Sequence, residues 1–263
     1  GNPLVGPVPG LRNYWSACGV MAGFSQGGGV GLSVHGRLRV AGDKTLFAMP
    51  ETGIGYFPDV GGTYFLPRLG EAVGNWLGLT GARLKTAEAC ALGVANAYVP
   101  TDNHADLIAA LGAAALDGSD SAVANVMKNF VKRPPTADAL PSEIDCFARK
   151  TVPAILRALQ SRKTEWSLAQ LTNLRKKSPI ALAVTLEAMR RGVHMNFREA
   201  MSHELDASLA FLKTQDFYEG IRAQLIDKDR NPKWSHDSVD TVTASQVDRV
   251  LAPSGAAPLQ FLN

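Results

Sequence analysis

Apolar positions recur at helical spacing through the second half of the chain and only in short bursts through the first. Leu182, Leu186 and Met189 fall at i, i+4 and i+7 behind Ser178-Pro179, a capping residue followed by a first-turn proline. Asn196 with Glu199 makes a capping box, and behind it Phe197, Met201, Leu205, Leu209 and Leu212 form a second apolar stripe. Both stripes read as core. In the first half, residues 1–14 read as loop. Ala17 to Gly23 is a small-apolar run that predicts a buried strand. Phe24-Ser25-Gln26 predicts a turn, and a helix begins over Val30 to Gly36 behind Gly27-Gly28-Gly29. Leu38 to Val40 and Thr45 to Ala48 predict brief strands separated by Gly42-Asp43. Further helices are expected over about Val60 to Leu66, over Glu71 to Leu79 with Gly81 as stop, and over Thr86 to Leu92 with Gly93 as stop. From about residue 101 strands nearly vanish. The pattern therefore predicts an α/β first part and a helical second part, joined near Arg133-Pro134-Pro135.

Composition narrows the class without naming a function. The 263 residues are 46% hydrophobic and 19% charged, a globular balance rather than a disordered one. A net charge of +3 suits a ligand carrying phosphates and falls far short of a nucleic-acid footprint. The cysteines Cys18, Cys90 and Cys146 are odd in number and far apart, which excludes a metal-ligand pair and points to a reducing compartment. No apolar run reaches membrane-spanning length, and Gly1 to Gly10 lacks the basic region of a targeting peptide. The chain opens on Gly1 rather than Met, so the expectation is that processing or truncation has removed what came before.

Three constellations can carry chemistry. The triple glycine ahead of a helix lets backbone N–H groups approach a developing negative oxygen, or simply lets a helix pack closely on a strand. It is not a dinucleotide fingerprint, because Gly29-Val30-Gly31 meets Val34 where a glycine is needed, and it lacks the lysine of a P-loop. The overlapping Gly23-Phe24-Ser25-Gln26-Gly27 matches the nucleophile-elbow pattern, with His104, His194, His203 and His236 as candidate bases. Glu51 and Asp59 are eight positions apart across a loop holding Gly53, Gly55 and Pro58, which can turn both toward one pocket. A carboxyl beside an apolar acyl chain has its pKa raised and becomes a general acid or base. Against this, Asp59 is a natural helix cap and Glu51 can be merely solvated. His and Cys supply no metal motif. Arg222 and Lys228 can meet phosphates, or line a solvated helix face.

Read together, the segments decide more than any one motif. Gln26-Gly27-Gly28-Gly29-Val30-Gly31-Leu32-Ser33, Phe47-Ala48-Met49-Pro50-Glu51-Thr52, Phe57-Pro58-Asp59-Val60-Gly61-Gly62 and Phe65-Leu66-Pro67-Arg68-Leu69 resemble, in order and spacing, the 3-hydroxyisobutyryl-CoA hydrolases of the crotonase superfamily. Leu79-Thr80-Gly81 and the tail from Asp216 to Ala223, Leu225 to Asp229 and Pro232-Lys233-Trp234 extend the likeness from about residue 18 to 235. The resemblance implies a crotonase-like spiral of ββα units over residues 18–132, N-terminally incomplete, then a helical region over 133–263, with residues 1–17 unmatched. It implies a thioesterase of valine breakdown, cleaving 3-hydroxyisobutyryl-CoA, with Glu51 as catalytic carboxylate, Asp59 its partner for the 3-hydroxyl or the water, and the Gly28 N–H an oxyanion donor. All three would bind substrate. No cofactor is implied, since coenzyme A belongs to the substrate, and no metal. The implied partner is an acyl-CoA, with no nucleic acid and no membrane. A homo-oligomer is left open, and the compartment is mitochondrial in eukaryotes and cytoplasmic in bacteria. Family members carry further residues before this point that supply early strands and a second oxyanion donor, the loss of which costs about 10²–10³ in rate. Two other readings stay open. An enoyl-CoA hydratase or isomerase is disfavoured because Gly31 stands where hydratases place a first glutamate. A non-catalytic subunit, like the relatives built into mitochondrial ribosomes, would not need Glu51 or Asp59.

Overall fold

The computed structural model describes residues 6–7, 15–16, 24–26, 28–115 and 120–260. Its contacts group the chain into two compact units. One takes Gly1–Ala48 with Arg83–Ala139, the other Met49–Ala82 with Leu140–Asn263. This is not the linear division expected at residue 133. The Met49–Ala82 segment, which carries Glu51 and Asp59, packs with the C-terminal helices.

The first unit is the α/β part. Phe24–Gln26 pairs in parallel with Leu46–Ala48, and Leu84–Lys85 adds antiparallel on the far side of Leu46–Ala48. A parallel pair needs a crossover, and the helix Gly28–Ser33 lies in that connection. Val40–Ala41 pairs in parallel with Ala97–Tyr98 as a second small sheet. The helices His104–Ala115 and Asp120–Phe130 pack Leu107, Val123 and Met127 against Ala97 and Val99.

Several expectations shift here. Phe24-Ser25-Gln26 is a strand, not a turn, because Leu46–Ala48 supplies the ladder partner that its polar residues concealed. The helix starts at Gly28, two residues before Val30. The strand expected over Leu38 to Val40 is Val40–Ala41. Within the expected N-terminal loop, Gly6–Pro7 pairs with Trp15–Ser16. The strand expected over Ala17 to Gly23 lies outside the described residues.

The second unit is helical, and its core gathers Phe57, Ile180, Ala181, Val184, Ala207, Phe211 and Val247. Ser178 caps Pro179–Gly192 as expected, accepting from Ala181 N at 3.2 Å. Leu182, Leu186 and Met189 are buried on that helix. At its other end Arg68 donates to the carbonyls of Gly192 (3.1 Å) and Met195 (2.8 Å) while lying over the Tyr64 ring, so a cation closes the negative end of the helix. The helix Glu71–Thr80 stops at Gly81 in a left-handed conformation, as expected.

Two helices depart from expectation. The one predicted over Val60 to Leu66 is cut to Gly62–Phe65. Val60 and Gly61 take left-handed φ values of 52° and 85°, and the chain tightens into a 3₁₀ turn at Leu66–Leu69 around Pro67. The capping box of Phe197–Phe211 is present, with both reciprocal bonds, yet the predicted stripe is not its core face. Phe197 is 37% and Leu212 46% exposed, whereas Ala200, Glu204, Ala207 and Phe211 are buried. The helix is turned by about one residue so that the Glu204 carboxylate, rather than a leucine, faces inward.

Candidate active site

Glu51 opens a 3₁₀ turn, Glu51–Ile54, which ends at Gly55 with φ 70°. Two close approaches fix this turn from outside. A Cβ on Gly55 would meet the Asp216 carbonyl oxygen at 2.2 Å, and one on Gly220 would meet the Ile54 carbonyl oxygen at 2.2 Å. The helix Gln215–Ile221 thus lies backbone to backbone against the turn, which only glycines permit. Ser178 adds a third tie. Its N–H donates to Thr52 O at 3.2 Å, and its hydroxyl donates to the buried Asp216 carboxylate at 2.6 Å. The other Asp216 oxygen accepts from Ser235 N at 2.8 Å. Ser178→Ala removes a cap and a bond to a buried charge together, so we expect a loss of about 2–3 kcal/mol in urea unfolding. An unchanged midpoint would show the Asp216 carboxylate satisfied without it.

Within this frame Glu51 is only 6% exposed, and its Oε2 has no hydrogen-bond partner among the described residues. Burial pushes its carboxyl up to about 8, the Asp59 carboxylate adding to the rise, its own backbone N–H and the Lys177 ammonium opposing it. Burial also raises Asp59 above the ordinary carboxylate range, again against its own backbone N–H. Asp59 does not cap the helix that follows it. The cap position is Gly61, and the free N–H groups there go to Glu204, which accepts from Gly61 N (2.7 Å), Thr63 N (3.0 Å) and the Thr63 hydroxyl (2.5 Å). With capping done by Glu204, the Asp59 side chain is left for other work. The chain reaches that arrangement through Val60 at positive φ, a strained conformation for a β-branched residue of the kind found beside functional groups.

Glu204 itself is pushed up to about 7 by burial, the bonds from Thr63 and Gly61 opposing and Asp59 adding. Tyr56 completes the group. Its hydroxyl donates to Ser208 Oγ at 2.6 Å, and it is pushed up to about 12, chiefly by burial and then by the Asp59, Glu204 and Glu51 carboxylates. Its ring packs on Phe57, Phe211 and Phe217. Three carboxyls whose charged forms are all disfavoured, one phenol and one ammonium therefore share this part of the unit. Such a set can hold a proton near neutral pH and give or take it.

Sequence reasoning singled out Glu51 and Asp59, and the structure sets both in the second unit. It missed Glu204, Tyr56 and Lys177, because Glu204 joins the loop from more than 140 positions away and no local pattern announces it. Gly28 is the first residue of the Gly28–Ser33 helix in the first unit. Ser25 lies inside a strand, paired with Phe47, rather than at the sharp strand-to-helix turn that an elbow needs. Of the histidines proposed to serve it, His104 bonds Val99 O at 2.9 Å, His236 contacts Ser235 and Gln246, His194 is exposed, and His203 is half-buried on the Phe197–Phe211 helix. The Arg222 guanidinium, read as a phosphate contact or a solvated residue, is tied to Glu219, Asp227 and Asp229. Among the described residues no three of His, Cys, Asp and Glu gather as for a metal ion, and no helix is long and apolar enough to cross a membrane.

Comparison with known proteins identifies the family and the fold. The enoyl-CoA hydratase/isomerase family model matches residues 16–251. The mitochondrial 3-hydroxyisobutyryl-CoA hydrolase of Homo sapiens is 40% identical over 95% of this chain and 68% of its own length. That of Xenopus laevis is 39% identical over 92% of this chain and 65% of its own. The chain thus spans about two thirds of the length of these relatives. Among solved structures, a carnitinyl-CoA dehydratase from Mycobacterium thermoresistibile superposes with a TM-score of 0.77 at 38% identity, covering 87% of this chain and 65% of that one. An enoyl-CoA hydratase from Rhodobacter sphaeroides superposes at 0.73 and 38%, covering 88% and 66%. With the crotonase fold in common and the hydrolases among its relatives, the chain belongs to the enoyl-CoA hydratase/isomerase family.

Proposed function

We propose that the chain carries the reactive carboxylate of an acyl-CoA thioester hydrolase, releasing 3-hydroxyisobutyrate and coenzyme A from 3-hydroxyisobutyryl-CoA. The observation that carries this reading is Glu51, a buried carboxyl with one oxygen unpartnered among the described residues, and a second raised carboxyl acting on it. The names of the curated relatives support it. In the simplest route Glu51 takes a proton from water as the water oxygen attacks the thioester carbonyl. The C–S bond then breaks, and the proton passes from Glu51 to the departing thiolate. If Glu51 attacks the carbonyl itself, the C–S bond breaks, the thiolate leaves and takes a proton from solvent, and an anhydride forms that water opens. A heavy-oxygen label from water enters the Glu51 carboxyl where the water attacks the Glu51 carbonyl. Asp59 serves the 3-hydroxyl or the water. The family resemblance gives the Gly28 N–H to the oxyanion, and it implies a mitochondrial location in a eukaryote or a cytoplasmic one in a bacterium.

Both routes start from ionised Glu51, so kcat/KM should climb with pH through a midpoint near 8 and level off above it. A profile flat from pH 6 to 9 would remove Glu51 from the reacting position. Hydration of an enoyl-CoA is the second reading, favoured by the named activities of the two solved structures. Gly31 leaves that reaction without its first glutamate. Thiol release from 3-hydroxyisobutyryl-CoA, measured beside hydration of an enoyl-CoA, separates the two. Ser25→Ala should leave thiol release unchanged.

A further inference from the structure

Among the described residues, Lys177 is the cation set against the Glu51 turn that the proposed chemistry leaves unused. It precedes Ser178, whose N–H holds Thr52 O, so its backbone is pinned beside the turn. Its side chain runs over Gly53. A Cβ there would lie 3.3 Å from Nζ and 3.9 Å from Cδ, so the ammonium rests closely on the turn at Gly53. No hydrogen bond or ion pair ties that ammonium to a carboxylate among the described residues.

The charges on the surrounding helices are spent elsewhere. Asp216 bonds Ser178 and Ser235, Glu219 holds Arg222, and Glu187 holds Arg190 and Arg191. Glu71 is exposed. Asp59 opposes ionisation of Glu51, Tyr56 feels the Glu51 charge, and Glu204 feels the Asp59 charge. Lys176 repels Lys177. Among the described residues, Lys177 is thus the cation that favours the charged form of Glu51.

Resting on the reading of Glu51 as the reactive carboxylate, we propose that Lys177 is a positioning residue that keeps Glu51 able to accept a proton, acting through space rather than as an ion-pair partner. The distinction has a chemical use. A direct salt bridge would occupy the carboxylate oxygens, whereas a nearby ammonium favours the anion and leaves Oε2 free for water or the thioester. Burial lowers the Lys177 ammonium and Glu51 raises it, so each charge supports the other.

The test titrates Glu51 directly, by carbon-13 NMR of carboxyl-labelled glutamate assigned with Glu51→Gln, in the full chain and in Lys177→Met and Lys177→Arg. We expect the Glu51 midpoint to rise by about one unit in Lys177→Met and to return in Lys177→Arg. In kcat/KM for thiol release the acid limb should move with it, giving about a tenfold loss below the midpoint and none on the alkaline plateau. An unmoved Glu51 midpoint in a folded Lys177→Met chain overturns the proposal, as does a loss equal at every pH. The NMR midpoint does not depend on turnover, so a chain that releases no thiol would sink the hydrolase reading while leaving this one measurable. Should Lys177→Met not fold, Lys177→Gln removes the same charge with a polar tip.

Discussion

Glu51→Gln is expected to lower thiol release by about a thousandfold and, in the same protein, to raise stability at alkaline pH. The first effect follows from removing the group that accepts the proton, since positioned acid–base catalysis contributes about 10²–10⁴. The second follows from the sign of the shift. The Glu51 carboxyl titrates near its ordinary 4.5 in the unfolded chain and at about 8 in the folded one. Between those values the native state binds more protons than the unfolded state, so stability falls as pH rises through this window and stays low above 8. The full penalty is on the order of 5 kcal/mol, from the size of the shift. Gln is neutral at every pH and does not carry it. Urea midpoints for the two proteins should therefore lie close together near pH 5 and separate by pH 9, with Glu51→Gln the more stable. Equal midpoints at pH 9 would mean that water reaches Glu51 and that burial does not set its proton affinity. A protein that sacrifices stability to hold a buried carboxylate is behaving as a catalyst would.

The parts of the molecule that were legible in the sequence are those written locally. Ser178-Pro179, the Asn196–Glu199 box and Gly81 after Glu71–Thr80 each place signal and consequence within four residues, and each stands as read. The motif run that carries Glu51 and Asp59 was legible as a family likeness. What escaped is non-local. The helix Phe197–Phe211 offers two apolar faces, and its own sequence cannot rank them. Glu204 ranks them, by taking the N–H groups of Gly61 and Thr63. Phe24–Gln26 became a strand because Leu46–Ala48 lies beside it. The linear split at residue 133 ran through the site's own surroundings, since Met49–Ala82 finds its neighbours among the late helices. Lys177 carries no local signal within Arg175-Lys176-Lys177, and only the contact with Gly53 gives it a direction.

Gly220→Ala should be among the most damaging single methyls in this unit, and its damage should reach the reaction. The added carbon would sit 2.2 Å from the Ile54 carbonyl oxygen, 2.3 Å from its carbon and 2.6 Å from Cα, all of them backbone with no rotamer to swing away. Either the helix Gln215–Ile221 or the Glu51–Ile54 turn must retreat by about 1 Å to reach ordinary contact. Such overpacking costs about 3 kcal/mol, at the upper end of its usual range. The helix is held at its start by Asp216, bonded to Ser178 and Ser235, so the turn is the part with room to give. A displacement of that size in a catalytic group costs about a hundredfold in rate. Gly112→Ala supplies the contrast. Its Cβ would meet nothing within 4 Å in the helix His104–Ala115, and there the same methyl should stabilise by about 0.5–1 kcal/mol. Urea unfolding and thiol release on both variants decide the matter. If Gly220→Ala kept its stability and lost rate, the turn would have moved at no cost and the close packing would be a hinge. If it kept both, the clamp on Glu51 would be absent, and the raised proton affinity of that carboxyl would need a source other than the wall built behind it.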